Sequence, residues 1–144
     1  GGFGMILSEV ELRPGRRLSV GSLGPEDAPL RVLFFHGSMA AMKQFFPLVE
    51  ELSKGCGAPE GEAVSFHAYD ALGCGTSPRP YDEALYAPDE LEEDAHAFFL
   101  HASSGARRVV VIGHSYGCSV VLTLLSRLRS SPPPPPPTSG GPPP

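Results

Sequence analysis

"VVVIGHSYGCSVVLTLLSRL", running from Val109 to Leu128, sets an unbroken apolar run against an apolar helical pattern with one short joint between them. A run without polar alternation suits a strand buried on both faces. From Tyr116 onward the apolar positions recur at helical spacing instead. The joint is Gly113-His114-Ser115-Tyr116-Gly117, a G-x-S-x-G pattern. A turn this abrupt between strand and helix needs flanking positions without bulky side chains, and it holds the central serine strained with its hydroxyl exposed above the sheet. The N-terminus of the next helix then lies beneath that hydroxyl, a favourable place for an oxygen that gains negative charge. Ser115 is the candidate nucleophile, and Gly113, His114 and Gly117 form the elbow around it.

Working upstream, "PLRVLFFHG" carries a second buried run, Val32 to Phe35, ending in His36-Gly37. Met39 to Leu52 shows helical spacing, with Met42, Phe45, Phe46, Val49 and Leu52 on one side. Pro47 predicts a kink or two short helices there. "VSFHAYD" (Val64–Asp70) reads as another strand, and the loop leaving it has the spacing D-x-x-G-x-G-x-S from Asp70 to Ser77. A helix is expected from Pro88, with Asp89 and Glu90 at its positive end and Leu91, Ala95, Phe98 and Ala102 as its apolar stripe. At the start of the chain, "MILSEVEL", "RPGRR" and "LSVGSL" predict a hairpin. The order is a hairpin followed by β-α-β-α-β-α, which implies a three-layer α/β domain with a mostly parallel sheet.

Several polar residues have plain structural readings. The acidic run from Asp82 to Asp94 reads as a solvated helix face. His67, His96 and His101 read as satisfied or solvated histidines, and Cys118 as a small packing residue. Cys56, Cys74 and Cys118 are odd in number and follow neither metal nor disulfide spacing, which favours a reducing compartment. No metal or cofactor is implied.

The chain has 144 residues, enough for one domain with a real core. A net charge of −5 offers no electrostatic attraction to nucleic acid or an anionic membrane. No apolar stretch approaches the ~18 residues of a membrane span. The first ten residues show no signal peptide and no myristoylation pattern. The cytoplasm is therefore the default expectation. "SPPPPPPTSGGPPP" cannot donate ladder hydrogen bonds, so residues 131–144 are expected to be an extended or disordered tail, and a proline-recognition domain is a conceivable partner for it.

The three strand ends, "FFHGSMA", "YDALGCGTS" and "GHSYG", taken in this order, resemble the α/β-hydrolase superfamily, most closely its lipase, esterase and acyl-hydrolase branches. The resemblance spans roughly Leu30 to Leu128. It implies that residues 1–130 form part of an α/β-hydrolase domain and that the loop at His36 and Gly37 supplies an oxyanion-hole amide. That amide is the N–H of Ser38, with Met39 the alternative, and the second is the N–H of Tyr116. It treats His36 and His114 as structural, and it sets Ser115 against the epoxide-hydrolase and dehalogenase branches, which use Asp. The substrate it implies is a small ester or other acyl compound.

In this fold the acid and the histidine of the triad follow the serine along the chain. After Ser115 the sequence contains no Asp, Glu or His. The expectation is a truncated α/β-hydrolase fold, inactive as this chain, with the Val109–Ile112 strand left at an exposed edge. The alternative is a non-catalytic protein that binds partners through its acidic helix, its sheet edge or its proline tail.

Overall fold

The computed structural model describes residues 4–55 and 61–131. Five strands form one sheet: β1 (Ile6–Arg13), β2 (Arg16–Leu23), β3 (Leu30–Phe35), β4 (Val64–Tyr69) and β5 (Arg108–Gly113). Three helices accompany them: α1 (Phe46–Ser53), α2 (Pro88–Ser103) and α3 (Tyr116–Ser130). The strand order is β1-β2-β4-β3-β5. β3 pairs in parallel with both β4 and β5, while β1 with β2 and β2 with β4 are antiparallel. The sheet is thus mixed: the β-α alternation produces its parallel part, and the N-terminal hairpin closes one side.

That order dictates the layers. The chain leaves β3 to one side for β4, then crosses back over β3 to reach β5. Right-handed crossovers in opposite directions must lie on opposite faces of the sheet. α1 accordingly packs on one face and α2 on the other. The apolar run of β3 serves both layers: Val32 and Phe34 join Met42, Phe45 and Val49 on the α1 side. Leu33 and Phe35 join Phe98, Ala102, Val121 and Leu124 on the side of α2 and α3.

Local details follow from residue type. The stretch expected to be helical from Met39 divides as Pro47 required, into a single 3-10 turn (Met42–Phe45) and α1, with the proline in its first turn. Met39 itself is outside the helix, with φ 55°. α2 begins at Pro88 and buries the predicted Ala95, Phe98 and Ala102.

Two expectations are corrected. The acidic run is not solvated throughout, because Asp94 is 1 % exposed. Its Oδ1 accepts from Arg13 Nε at 2.8 Å and Arg16 Nε at 3.0 Å, and its Oδ2 accepts from Arg16 Nη2 at 2.5 Å. A carboxylate on the buried side of α2 is tolerated because two guanidinium groups from the hairpin neutralise it, and the ion pairs tie the hairpin to α2. Cys118 is exposed rather than packed, and its thiol faces the carbonyl of Gly113 at 3.3 Å. Cys56 and the proline-rich stretch from Pro132 lie outside the described residues.

Candidate active site

β3, β4 and β5 run parallel, so their C-terminal ends meet along one edge of the sheet. There β3 leads toward α1 on one face and β5 leads into α3 on the other. This divergence of adjacent strands opens the crevice in which open α/β sheets bind ligands.

Ser115 sits in the joint with φ 55° and ψ −120°. Left-handed backbone is costly for a residue with a β-carbon, roughly 1–3 kcal/mol, and persists only where surrounding structure enforces it. The flanking glycines are that enforcement. A β-carbon on Gly113 would lie 2.6 Å from the carbonyl oxygen of Gly117, and one on Gly117 would lie 2.1 Å from that of Phe35. The helix start is thereby pressed onto the end of β3, and Ser115 must turn outward. Although Ser115 occupies the N-cap position of α3, its hydroxyl makes no capping bond. Among the described residues the exposed hydroxyl has no hydrogen-bond partner.

The His36-Gly37 loop is held against this elbow. A β-carbon on Gly37 would meet the carbonyl oxygen of His114 and the β-carbon of Ser115, each at 3.2 Å. Ser38 follows directly and is exposed. No hydrogen bond engages the N–H of Ser38, Met39 or Tyr116 among the described residues. The positive φ of Met39 turns the chain immediately after them, a feature no sequence pattern reveals in a non-glycine residue.

His36 is 7 % exposed. Its Nε2 accepts from the N–H of Ala71 at 2.9 Å, and its Nδ1 faces the carbonyl of Gly37 at 2.7 Å. Since Nε2 accepts, Nδ1 carries the proton and donates. The ring therefore fastens the loop after β3 to the loop after β4. His114 is exposed; its N–H donates to the carbonyl of Phe35 at 3.2 Å, and its carbonyl accepts from the N–H of Gly117 at 2.9 Å.

Asp70 organises the loop after β4, a role the sequence reading did not assign. Its carboxylate accepts from the N–H of Met42 at 2.7 Å and from the N–H of Thr76 at 2.9 Å. A β-carbon on Gly75 would collide with it at 2.2 Å. The hydroxyl of Ser77 donates to the Asp70 carbonyl at 2.6 Å and accepts from the N–H of Ser19 at 2.9 Å. The D-x-x-G-x-G-x-S spacing was the available signal: its aspartate, second glycine and serine are three parts of one knot. Beside the knot, burial and the charge of Asp70 push the Cys74 thiol up.

Between the loop after β3, the loop after β4 and the first turn of α3 opens a pocket of about 210 Å³. Phe35, Leu72, Leu91 and Val120 give it a mainly apolar wall, and Ser38 and Tyr116 belong to its lining. Among the described residues no group of three or more His, Cys, Asp or Glu side chains could hold a metal.

Comparison with known proteins fits this geometry. The model of the alpha/beta hydrolase family matches residues 32–143. The chain belongs to the alpha/beta hydrolase family. A proline iminopeptidase from Chitinophaga pinensis is 32 % identical over 88 residues, which is 58 % of this chain and 24 % of that protein. An epoxide hydrolase from Vigna radiata superposes with a TM-score of 0.68 at 25 % identity, over 87 % of this chain and 36 % of its own. The thioesterase domain from the curacin biosynthetic pathway has a TM-score of 0.71 at 16 % identity, over 86 % of this chain and 40 % of its own. A haloalkane dehalogenase from Paraglaciecola agarilytica has a TM-score of 0.73, also at 16 % identity, over 88 % and 40 %. At these low identities the likeness is one of fold. The hydrolase chain spans a quarter to two fifths of the length of these relatives. No helix among its described residues is long and apolar enough to cross a membrane.

Proposed function

We propose that the chain carries the nucleophile and oxyanion hole of a serine hydrolase acting on an ester or other acyl substrate. The observation that carries this is the backbone of Ser115, strained at φ 55° between two glycines that admit no side chain. In the proposed reaction Ser115 Oγ bonds to the acyl carbon and gives its proton to a base. The carbonyl electron pair moves onto oxygen, and the N–H groups of Ser38 and Tyr116 stabilise that oxyanion. The likeness in sequence to a proline iminopeptidase supports acyl chemistry. Serine at position 115 supports it over epoxide opening or dehalogenation.

His36 is committed to two structural hydrogen bonds, and no Asp, Glu or His follows Ser115 in this sequence, so the base and orienting acid that the fold places after the serine are not among these residues. Without them the elbow and oxyanion hole alone leave roughly 10³- to 10⁴-fold acceleration over water. A fluorophosphonate probe tests the assignment. A form extended beyond Pro144 by a segment that supplies an acid and a histidine should label, Ser115→Ala in that form should not, and the 144-residue chain should label far more slowly. A folded extended form that stays unlabelled would show that Ser115 is not an activated nucleophile.

The second reading, a non-catalytic partner-binding protein, is favoured by the β5 side. There Val110, Leu122 and Leu125 are 46 %, 68 % and 46 % exposed.

A further inference from the structure

The pocket under the Ser38 loop contains a deeply buried polar group that the fold does not use. Tyr69 ends β4 and is 5 % exposed. Its ring stacks on Phe98 at 4.5 Å and meets the edge of Phe35 at 5.8 Å, so its orientation is fixed by packing. Buried tyrosines ordinarily hydrogen-bond through the hydroxyl. Among the described residues the Tyr69 hydroxyl has no hydrogen-bond partner, yet it is not a fully sealed, unsatisfied atom.

Its surroundings place it at the pocket wall. Burial first, then the charge of Asp94 and, once ionised, those of Cys74 and Tyr116, hold the phenol well above its usual range. All three residues line the pocket, as Tyr69 does. The phenol therefore stays protonated and available as a donor. Of the other buried polar groups on the lining, Asp94 is engaged by Arg13 and Arg16 and His36 by Ala71 and Gly37, while the side chains of Ser38, Cys74 and Tyr116 line the more open part of the pocket.

We infer that Tyr69 is a specificity-determining residue whose hydroxyl donates to an oxygen on the substrate's acyl chain, selecting short oxygenated acyl groups over plain alkyl ones. This rests on the reading of the site as an acyl-hydrolase site. The volume is consistent with a short chain: a cavity of about 150 Å³ accepts benzene, and this one holds about 210 Å³. Mainly apolar walls with a few placed polar groups are the usual design of a small-molecule pocket. An alkyl chain would leave the hydroxyl without a partner, whereas a keto, ether or hydroxyl oxygen would satisfy it.

The test uses binding, so that it stands apart from whether Ser115 reacts. In the full chain carrying Ser115→Ala, methyl 4-oxopentanoate and methyl 4-methylpentanoate, which differ at one position, are titrated against backbone amide chemical shifts. Tyr69→Phe added to that chain keeps the ring and removes the donor. The ratio of keto-ester to alkyl-ester affinity should then fall about five-fold. Nuclear Overhauser contacts between the keto ester's terminal methyl and the Tyr69 ring are expected in the chain that retains Tyr69, which covers the case of a poorly folded Tyr69→Phe. An unchanged ratio, a missing contact at saturation, or no binding of either ester overturns the assignment. Failure of fluorophosphonate labelling with this ratio intact would overturn the nucleophile and leave the pocket.

Discussion

Gly117 and Phe35 lie so close that a β-carbon on the glycine would come within 2.1 Å of the phenylalanine's carbonyl oxygen. Both atoms belong to main chain or would be bonded directly to it, so neither can swing away. Gly117→Ala must push α3 off the end of β3, with a cost of about 3 kcal/mol or more. Gly15→Ala is the natural comparison. Gly15 also has positive φ, 74°, but nothing lies within 4 Å of an added β-carbon. Only the conformational cost of about 1–2 kcal/mol applies there. Urea denaturation of the two variants should separate these costs. Equal losses would mean that the elbow relaxes freely.

The same contact explains what could be read in advance. G-x-S-x-G between an apolar strand and an apolar helix is a steric statement, and sterics at a tight turn are local, so sequence carries them. The β3, β4 and β5 runs and the Pro47 break are legible for the same reason. Asp94 was not legible, since its neutralising partners, Arg13 and Arg16, lie about eighty positions away across a chain fold that pattern alone does not specify. Nor was the free hydroxyl of Tyr69, because whether a tyrosine finds a partner depends on three-dimensional neighbours.

Asp94 should be the most costly charge to remove. It is sealed beneath two guanidinium groups, and deleting one partner of a buried pair costs about 3–5 kcal/mol because the other charge is stranded. Asp94→Ala is expected in that range and Arg16→Ala near it, since Arg16 is 7 % exposed. Arg13→Ala should cost clearly less: its side chain is 24 % exposed and water can replace part of the interaction. The ordering of the three midpoints in urea is the check.

Acid should weaken the fold through His67. Burial, followed by the charges of Arg31 and His101, lowers its pKa from 6.5 to about 4. The ring is neutral in the folded state, with Nε2 and the Ser65 hydroxyl 2.7 Å apart. Above pH 6.5 both folded and unfolded chains are neutral at this position, and its contribution is fully retained. Below 6.5 the unfolded chain takes up a proton that the folded one resists, so stability falls until about pH 4, where both are charged. A series of urea midpoints across that window should decline in the wild type and decline less in His67→Gln. Parallel curves would remove His67 as the cause.

The β5 side should govern association of this chain. Among the described residues β5 pairs only with β3, so the outer row of its backbone groups is open. Val110 on that strand and Leu122 and Leu125 on α3 expose apolar surface. An unpaired strand edge beside exposed apolar side chains is a template for another copy, and a single charge at such an edge is the usual deterrent. Val110→Lys and Leu122→Lys place that charge on the strand and the helix respectively, without touching the buried faces of either. Each should shift the chain toward monomer in sedimentation velocity, and the pair together further than either alone. If the charged variants associate as the wild type does, the contact lies elsewhere, and the Ile6 and Leu7 edge of β1, 71 % and 53 % exposed, becomes the surface to charge next.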